Sequence, residues 1–281
     1  MNIDMEKIYI SDLDGTLLQD DACLSPYARK TLSALIENGV NFTVASARSL
    51  ASVRQILHGI PFRLPVIGLN GAYISDFATG EHLFINDIDE SLASAIYALA
   101  RKHHCWPFVS TFSGTEDRVY YQRLANDGML WFHDNRMSCK DNSVHHAKNI
   151  EEKFSEKIVS FAIVNTYEKL KPLSDQLQAD FADTIETHLF ENLYSPSWWW
   201  ITIQDKKACK SIAIKTLAKY AGFQMENVTV FGDRSNDLEM FKVAKTSIAV
   251  ENAVDEIKKH ATKIIGTNQN DSVVKYISAR S

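Results

Sequence analysis

The run Lys7-Ile8-Tyr9-Ile10-Ser11 leads directly into Asp12-Leu13-Asp14-Gly15-Thr16. The apolar stretch reads as a short buried strand, and Gly15 supplies the backbone freedom for a tight turn at its end. That turn carries two carboxylates close together, which costs free energy unless a cation or a reaction needs them. Thr16 adds a hydroxyl, and Leu17-Leu18 ties the turn back into a core. A calcium loop also begins Asp-x-Asp, but it needs glycine at position six and glutamate at position twelve. Counted from Asp12, those places hold Leu17 and Cys23, so the calcium loop is excluded.

The chain then settles into a rhythm. Ser25-Pro26 opens a helix as an N-cap with proline in the first turn, Leu32, Leu35 and Ile36 form its buried face, and Gly39 closes it. Val40 to Ala45 is a second strand ending at Ser46-Ala47-Arg48. Ser49 caps a helix with Val53, Ile56 and Leu57 inward, and Pro65 to Leu69 is a third strand ending at Asn70-Gly71-Ala72. This alternation predicts a parallel sheet with crossover helices. It resumes with a helix over Ser211 to Tyr220 and a strand over Val228 to Phe231 that ends at Gly232-Asp233-Arg234-Ser235-Asn236-Asp237. A helix through Leu238, Met240, Phe241 and Ala244 follows, then a strand over Ser247 to Val250 that ends at Glu251-Asn252, then a helix with Val254 and Ile257.

Between roughly residues 82 and 200 the pattern changes. Asp89 caps a helix, strands read over Trp106 to Phe112, Arg118 to Gln122, Ile158 to Val164, Thr184 to Phe190 and Trp198 to Ile203, and a helix runs over Tyr167 to Gln178 despite Pro172. Residues 123 to 155 are polar and unassigned. The spacing predicts a small antiparallel α+β domain, residues 82–200, inserted into a core made of residues 1–81 and 201–281.

In an open parallel sheet, ligands bind at the carboxyl ends of the strands. Asp12/Asp14, Ser46/Arg48, Asn70, Asp233/Asn236/Asp237 and Glu251/Asn252 all lie at such ends, and helix N-termini follow several of them. Carboxylates beside an anion-friendly edge imply a hard cation bridging to a phosphate, and Mg²⁺ suits oxygen ligands. With 281 residues there is material for two domains, and a net charge of -5 argues against a nucleic-acid binder. No apolar run reaches membrane-span length and the N-terminus carries no secretion signal. Cys23, Cys105, Cys139 and Cys209 have no paired spacing, which fits reduced thiols and a cytoplasmic location. Asn41-Phe42-Thr43 and Asn227-Val228-Thr229 match a glycosylation sequon but lie in strand-like runs. The adjacent pairs His103-His104 and His145-His146 read as surface residues.

Asp12-Leu13-Asp14-Gly15-Thr16, Ala45-Ser46-Ala47-Arg48, Leu69-Asn70-Gly71-Ala72, Lys210 and Gly232-Asp233-x-x-Asn236-Asp237 together resemble the haloacid dehalogenase superfamily, in particular its Cof-type sugar-phosphatase branch. The resemblance covers the whole core in order and spacing, and reaches the insertion by position and length. It implies an α/β fold with a Rossmann-like parallel core and an α+β cap that closes over the substrate and supplies specificity. Asp12 would be the nucleophile, and Asp14 the acid that protonates the leaving alcohol and then the base that activates water. Mg²⁺ would be held by Asp12, the Asp14 backbone carbonyl and Asp233, with Asp237 as a ligand or just behind one. Ser46 and Lys210 would bind phosphoryl oxygens, Asn236 would support that loop, and Asn70 would touch phosphate or substrate.

For Arg48 two readings stand side by side: a pair with an acid of the core, or a contact to substrate. Lys206 and Lys207 compete with Lys210, and Asp237 has a second reading as the cap of the following helix. Where the family has Thr-Gly-Arg, this chain has Ser46-Ala47-Arg48, which keeps the hydroxyl but gives up glycine's freedom at the turn; Ser272 also stands where the family often has glycine. The implied activity is hydrolysis of a small phosphorylated metabolite, a sugar phosphate first. A phosphomutase of the same chemistry and a non-catalytic binder of phosphometabolites are the alternatives. The substrate, the cap residues that select it and the oligomeric state are not legible in the sequence.

Overall fold

The computed structural model describes residues 7–138, 143–192 and 195–280. The sequence-stretch around Cys139 lies outside these residues. The chain divides into two compact units, residues 1–85 with 208–281, and residues 86–207.

The first unit starts with β1 (Ile8–Ser11), every residue of which is buried. Helix α1 (Pro26–Glu37) follows, with Ser25 Oγ accepting from the Ala28 N–H at 2.9 Å. Next come β2 (Asn41–Val44), α2 (Leu50–Ile56), β3 (Val66–Gly68), β4 (Tyr73–Ser75) and β5 (His82–Ile85). β3, β4 and β5 form an antiparallel sheet, joined to the end of β2 by a parallel bridge between Ala45 and Ile67. The hairpin β4–β5 extends this unit to Ile85, beyond the boundary expected at residue 81.

The second unit contains α3 (Glu90–Lys102), β6 (Phe108–Phe112), β7 (Asp117–Tyr121), α4 (Asp127–Ser138), β8 (Val144–His146), β9 (Lys157–Asn165), α5 (Tyr167–Phe181), β10 (Ile185–Glu191) and β11 (Trp199–Asp205). Its strands run in the order β10-β11-β9-β6-β7-β8, antiparallel except for the parallel pair β7–β8. β11 pairs with both β9 and β10 through Asp205, so this unit reaches past residue 200. Pro172 lies inside α5 and removes one helical N–H; Leu170, Leu173 and Leu177, all fully buried, hold the helix on the sheet against that loss. Trp199 packs with Tyr167 and the core on the helix-covered face, whereas Trp198 and Trp200 join Phe108, Met129 and Phe132 in a separate cluster. The three consecutive tryptophans thus alternate faces, as a strand requires.

The chain returns to the first unit with α6 (Lys210–Ala221), β12 (Val228–Gly232), α7 (Leu238–Val243), β13 (Thr246–Val250), α8 (Asp255–His260), β14 (Lys263–Ile265) and α9 (Ser272–Ser278). The main sheet is parallel throughout, in the order β14-β13-β12-β1-β2. Ser11 of β1 stands opposite both Phe231 of β12 and Val44 of β2. The register therefore brings the residues just after those strands, Asp12, Asp233 and Ser46, out at one edge. Among the described residues no helix is long and apolar enough to cross a membrane.

Candidate active site

Asp12 leaves β1 with its N–H still bonded to the Phe231 carbonyl at 2.9 Å, so the sheet itself fixes its backbone. The chain then turns through Gly15, at φ +75°, where a Cβ would lie 2.5 Å from Asp233 Oδ2. Only glycine lets the turn pass this close to the neighbouring carboxylate in this conformation. Thr16 Oγ1 donates to Asp233 Oδ1 at 2.7 Å and locks turn and carboxylate together.

Lys210 is the first residue of α6 and is buried, whereas Lys206 and Lys207 are exposed, with Lys206 paired to Glu186. Lys210 Nζ donates to Asp12 Oδ1 at 2.5 Å and to Asp237 Oδ1 at 2.6 Å. Asp237 Oδ2 accepts from the N–H groups of Asp233 at 2.9 Å and Arg234 at 3.1 Å. Asp237 makes no side-chain cap to α7; it folds back on the loop that precedes it. Both of its oxygens thus have partners, one in Lys210 and one in the Asp233 loop.

Asp12, Asp233 and Asp237 offer carboxylate oxygens within 4.8 Å of one another. Three carboxylates against the buried Lys210 ammonium and the more exposed Arg234 guanidinium, 3.5 Å from Asp233, leave one formal negative charge in a buried space. Burial, with the Asp237 and Asp233 carboxylates adding to it, holds the Asp12 carboxyl well above the usual range even though Lys210 pulls the other way. Burial and the Asp237 carboxylate push Asp233 up to about 7, against the Thr16 hydrogen bond. Burial alone would lower Lys210, but the two carboxylates outweigh it and keep its ammonium charged. The excess of negative charge and the all-oxygen donor set fit a divalent hard cation.

Asp14 has a different fate. Arg48 forks across it, Nε to Oδ2 at 2.7 Å and Nη2 to Oδ1 at 2.6 Å, a pairing with an acid of the core. Ser46 is buried and its Oγ accepts from the Arg48 N–H at 3.1 Å. Ala47 adopts no positive φ, so the expected penalty for losing glycine there does not arise. Asn70 sits in a left-handed stretch, Leu69 at φ 46°, Asn70 at 55° and Gly71 at 109°. Its N–H donates to the Ser46 carbonyl at 2.9 Å, and its Oδ1 accepts from Asn236 Nδ2 at 3.3 Å. A Cβ on Gly71 would lie 2.8 Å from the carbonyl oxygen of Cys209, so this loop is pressed against the start of the helix that carries Lys210.

The residues singled out in the sequence thus gather in three linked groups: Asp12, Lys210, Asp233 and Asp237; Asp14 and Arg48; Ser46, Asn70 and Asn236. Two features escaped the sequence reading. The bond from Thr16 to Asp233 was foreshadowed only by a hydroxyl in the turn. Asn268, whose Nδ2 donates to the Leu18 carbonyl at 3.0 Å, lies in the polar run Thr267 to Asp271 after the unrecognised strand β14.

The sequence profile of the haloacid dehalogenase-like hydrolases matches residues 9–277. Among curated relatives, the chain is 23% identical over 269 residues to the 5-amino-6-(5-phospho-D-ribitylamino)uracil phosphatase YitU of Bacillus subtilis, covering 95% of this chain and 94% of that protein. It is 24% identical over 282 residues to the pyridoxal phosphate phosphatase YbhA of Escherichia coli, covering 96% and 97%. Among solved structures, a haloacid dehalogenase-like hydrolase from Bacteroides thetaiotaomicron superposes with a TM-score of 0.80 at 23% identity, over 97% of this chain and 98% of that one.

Proposed function

The chain belongs to the haloacid dehalogenase-like hydrolases, and on that premise we propose that it is a Mg²⁺-dependent phosphatase of small phosphorylated metabolites, sugar phosphates first, working through an aspartyl-phosphate. The observation that carries this reading is the buried set Asp12, Asp233 and Asp237 around Lys210 at aligned strand ends. A phosphoric monoester hydrolase needs a nucleophile held beside enough positive charge to admit an anion. The relatives YitU and YbhA, named for a ribityl phosphate and for pyridoxal phosphate, support a small phosphomonoester as the substrate class.

Mg²⁺, held by Asp12, Asp233 and the Asp14 backbone carbonyl with Asp237 behind them, would supply positive charge that offsets repulsion between the Asp12 carboxylate and the phosphate. Asp12 then attacks phosphorus in line; a carboxylate–phosphorus bond forms as the ester bond breaks, and the leaving oxygen takes a proton from Asp14. In the second step water attacks phosphorus, gives a proton to Asp14, and frees inorganic phosphate and the Asp12 carboxylate. Lys210 and the Ser46 hydroxyl bind phosphoryl oxygens, stabilising charge that spreads in the transition state. Asn236 and Asn70 support the loop around them. Arg48 aims the Asp14 carboxyl; when Asp14 carries a proton, one of its oxygens becomes a donor and the fork must loosen. We assign substrate choice to the inserted unit and a cytoplasmic location to the protein.

The test is phosphate release from a panel of phosphometabolites with Mg²⁺ and with EDTA. Metal-dependent release is expected. Tight Mg²⁺-dependent binding of a sugar phosphate without release would instead indicate a binding protein, and transfer of the phosphoryl group to a second hydroxyl would indicate a phosphomutase.

A further inference from the structure

Gly15 lets the acidic turn pass Asp233, and it is also the loosest joint in that turn, because glycine at positive φ has many neighbouring conformations within reach. Its carbonyl is held from outside. Asn252, just beyond β13, donates Nδ2 to the Gly15 carbonyl at 2.7 Å. The other end of the same amide, Oδ1, accepts from the Asn268 backbone N–H at 2.9 Å. Asn268 is buried, and its own Nδ2 donates to the Leu18 carbonyl and to Asp20 Oδ1, both at 3.0 Å. The partners dictate both amide orientations: a backbone N–H requires the oxygen and a carbonyl requires the nitrogen. Gln19 Nε2 to the Gln269 carbonyl at 3.2 Å and Ser25 Oγ to Asp271 Oδ1 at 2.8 Å extend the same seam.

We propose that Asn252 and Asn268 are positioning residues for the turn that carries Asp14, a relay of two amides that clasps Gly15 and Leu18 to the segment between β13 and α9. The proposal rests on the phosphatase reading of the site. A rotation of the peptide after Gly15 would draw Thr16 off Asp233 and move the Asp14 carboxyl, whereas Asp12 is held independently by β1 and Lys210. Loss of the relay therefore harms proton delivery more than nucleophilic attack. Asn252 is exposed, so replacing it leaves the core intact.

The test compares wild type with Asn252→Asp, which keeps the acceptor for Asn268 but sets an oxygen against the Gly15 carbonyl, and with Asn252→Ala, which removes both ends. The probes are p-nitrophenyl phosphate, whose leaving group needs no proton, and the best alkyl phosphate of the panel, whose leaving group does. For both variants kcat/KM, which reports the step that expels the leaving group, should fall about tenfold or more on the alkyl phosphate and by less than about threefold on p-nitrophenyl phosphate, since positioned proton transfer is worth roughly 10²–10⁴-fold. Inhibition by inorganic phosphate and the thermal midpoint should stay near wild type. Equal losses on both probes, or none, with an active wild type would overturn the relay. A wild type that turns over neither probe would overturn the phosphatase reading, and the relay with it.

Discussion

In the first unit, the buried ammonium of Lys210 is shared by Asp12 and Asp237, and the buried Asp233 beside them meets only the more exposed guanidinium of Arg234, at 3.5 Å. In the second, Glu156 is matched by Arg118 at 2.9 Å, and its other lone pairs are filled by Tyr120 at 2.9 Å and Thr111 at 2.5 Å. Both clusters join strands to loops, and both are largely shielded from water. The first packs three buried carboxylates against one buried cation, whereas in the second the one shielded carboxylate has a guanidinium of its own, shared only with the exposed Glu116 at 3.7 Å. Unpaired buried charge is costly, so a fold that keeps it has a ligand or a reaction to satisfy. A balanced network like that of Glu156 is scaffolding. The contrast separates site from frame without reference to any relative.

The contrast is broken most severely at Asp12. Asp12→Asn should lower kcat by roughly 10⁴-fold or more, because the proposed nucleophile is removed while the fold keeps an isosteric side chain; phosphate release under saturating substrate measures it. Lys210→Met leaves Asp12 and Asp237 buried without a counter-charge. Its expected cost is about 3–5 kcal/mol in chemical denaturation, together with a loss of kcat of roughly 10²–10³-fold. Gly15→Ala drives a methyl group towards Asp233 and imposes an unfavourable φ, at a cost of about 1–3 kcal/mol. Mg²⁺ affinity, read by calorimetry, should fall with it. On the balanced side, Glu156→Gln should cost about 1–3 kcal/mol of stability and leave kcat at the wild-type value. A large drop in kcat for that variant at full folding would erase the distinction between the two clusters.

The smallest effect is on pH. Asp233 titrates at about 7 in the fold, against an ordinary value of 3.8. The folded, metal-free protein therefore holds a proton that the unfolded chain releases above about pH 4. That contribution to stability is complete below 3.8 and is lost as pH rises towards about 7. Thermal midpoints in EDTA should reflect this loss between pH 5 and pH 8. The rise in midpoint on adding Mg²⁺ should grow over the same range, because the metal requires the ionised carboxylate. A Mg²⁺ effect that shrinks with rising pH would remove Asp233 from the metal site.

What could be read from the sequence follows from the same physics. β1 and β12 are fully buried, so they appear as mainly apolar runs, and each ends abruptly in acids. The hairpin β4–β5 was missed because Tyr73 to Ser75 is short and follows the polar stop at Asn70-Gly71. Helix α4 was missed because its apolar residues do not share one face: Met129 is buried while Leu130 and Met137 are exposed. A Cβ on its Gly128 would lie 2.4 Å from the Trp198 ring, so tertiary packing, not periodicity, explains that residue. In the site, Asp12, Lys210 and Asp233 were legible because their residue types stand at strand or helix ends in a recognisable order. The choice of Asp14 as the partner of Arg48 was not, since several acids of the core were open to it until register and turn geometry were known.

The central claim is that phosphate passes through Asp12. It is tested most directly by quenching the protein during turnover of p-nitrophenyl phosphate with Mg²⁺, reducing with borohydride, and sequencing the peptide that contains residue 12 by mass spectrometry. An acyl phosphate at Asp12 would be reduced to homoserine, and the account predicts homoserine at position 12 alone, in proportion to the enzyme engaged. Active protein with unmodified Asp12, or with homoserine at Asp14 or Asp233 instead, would contradict it.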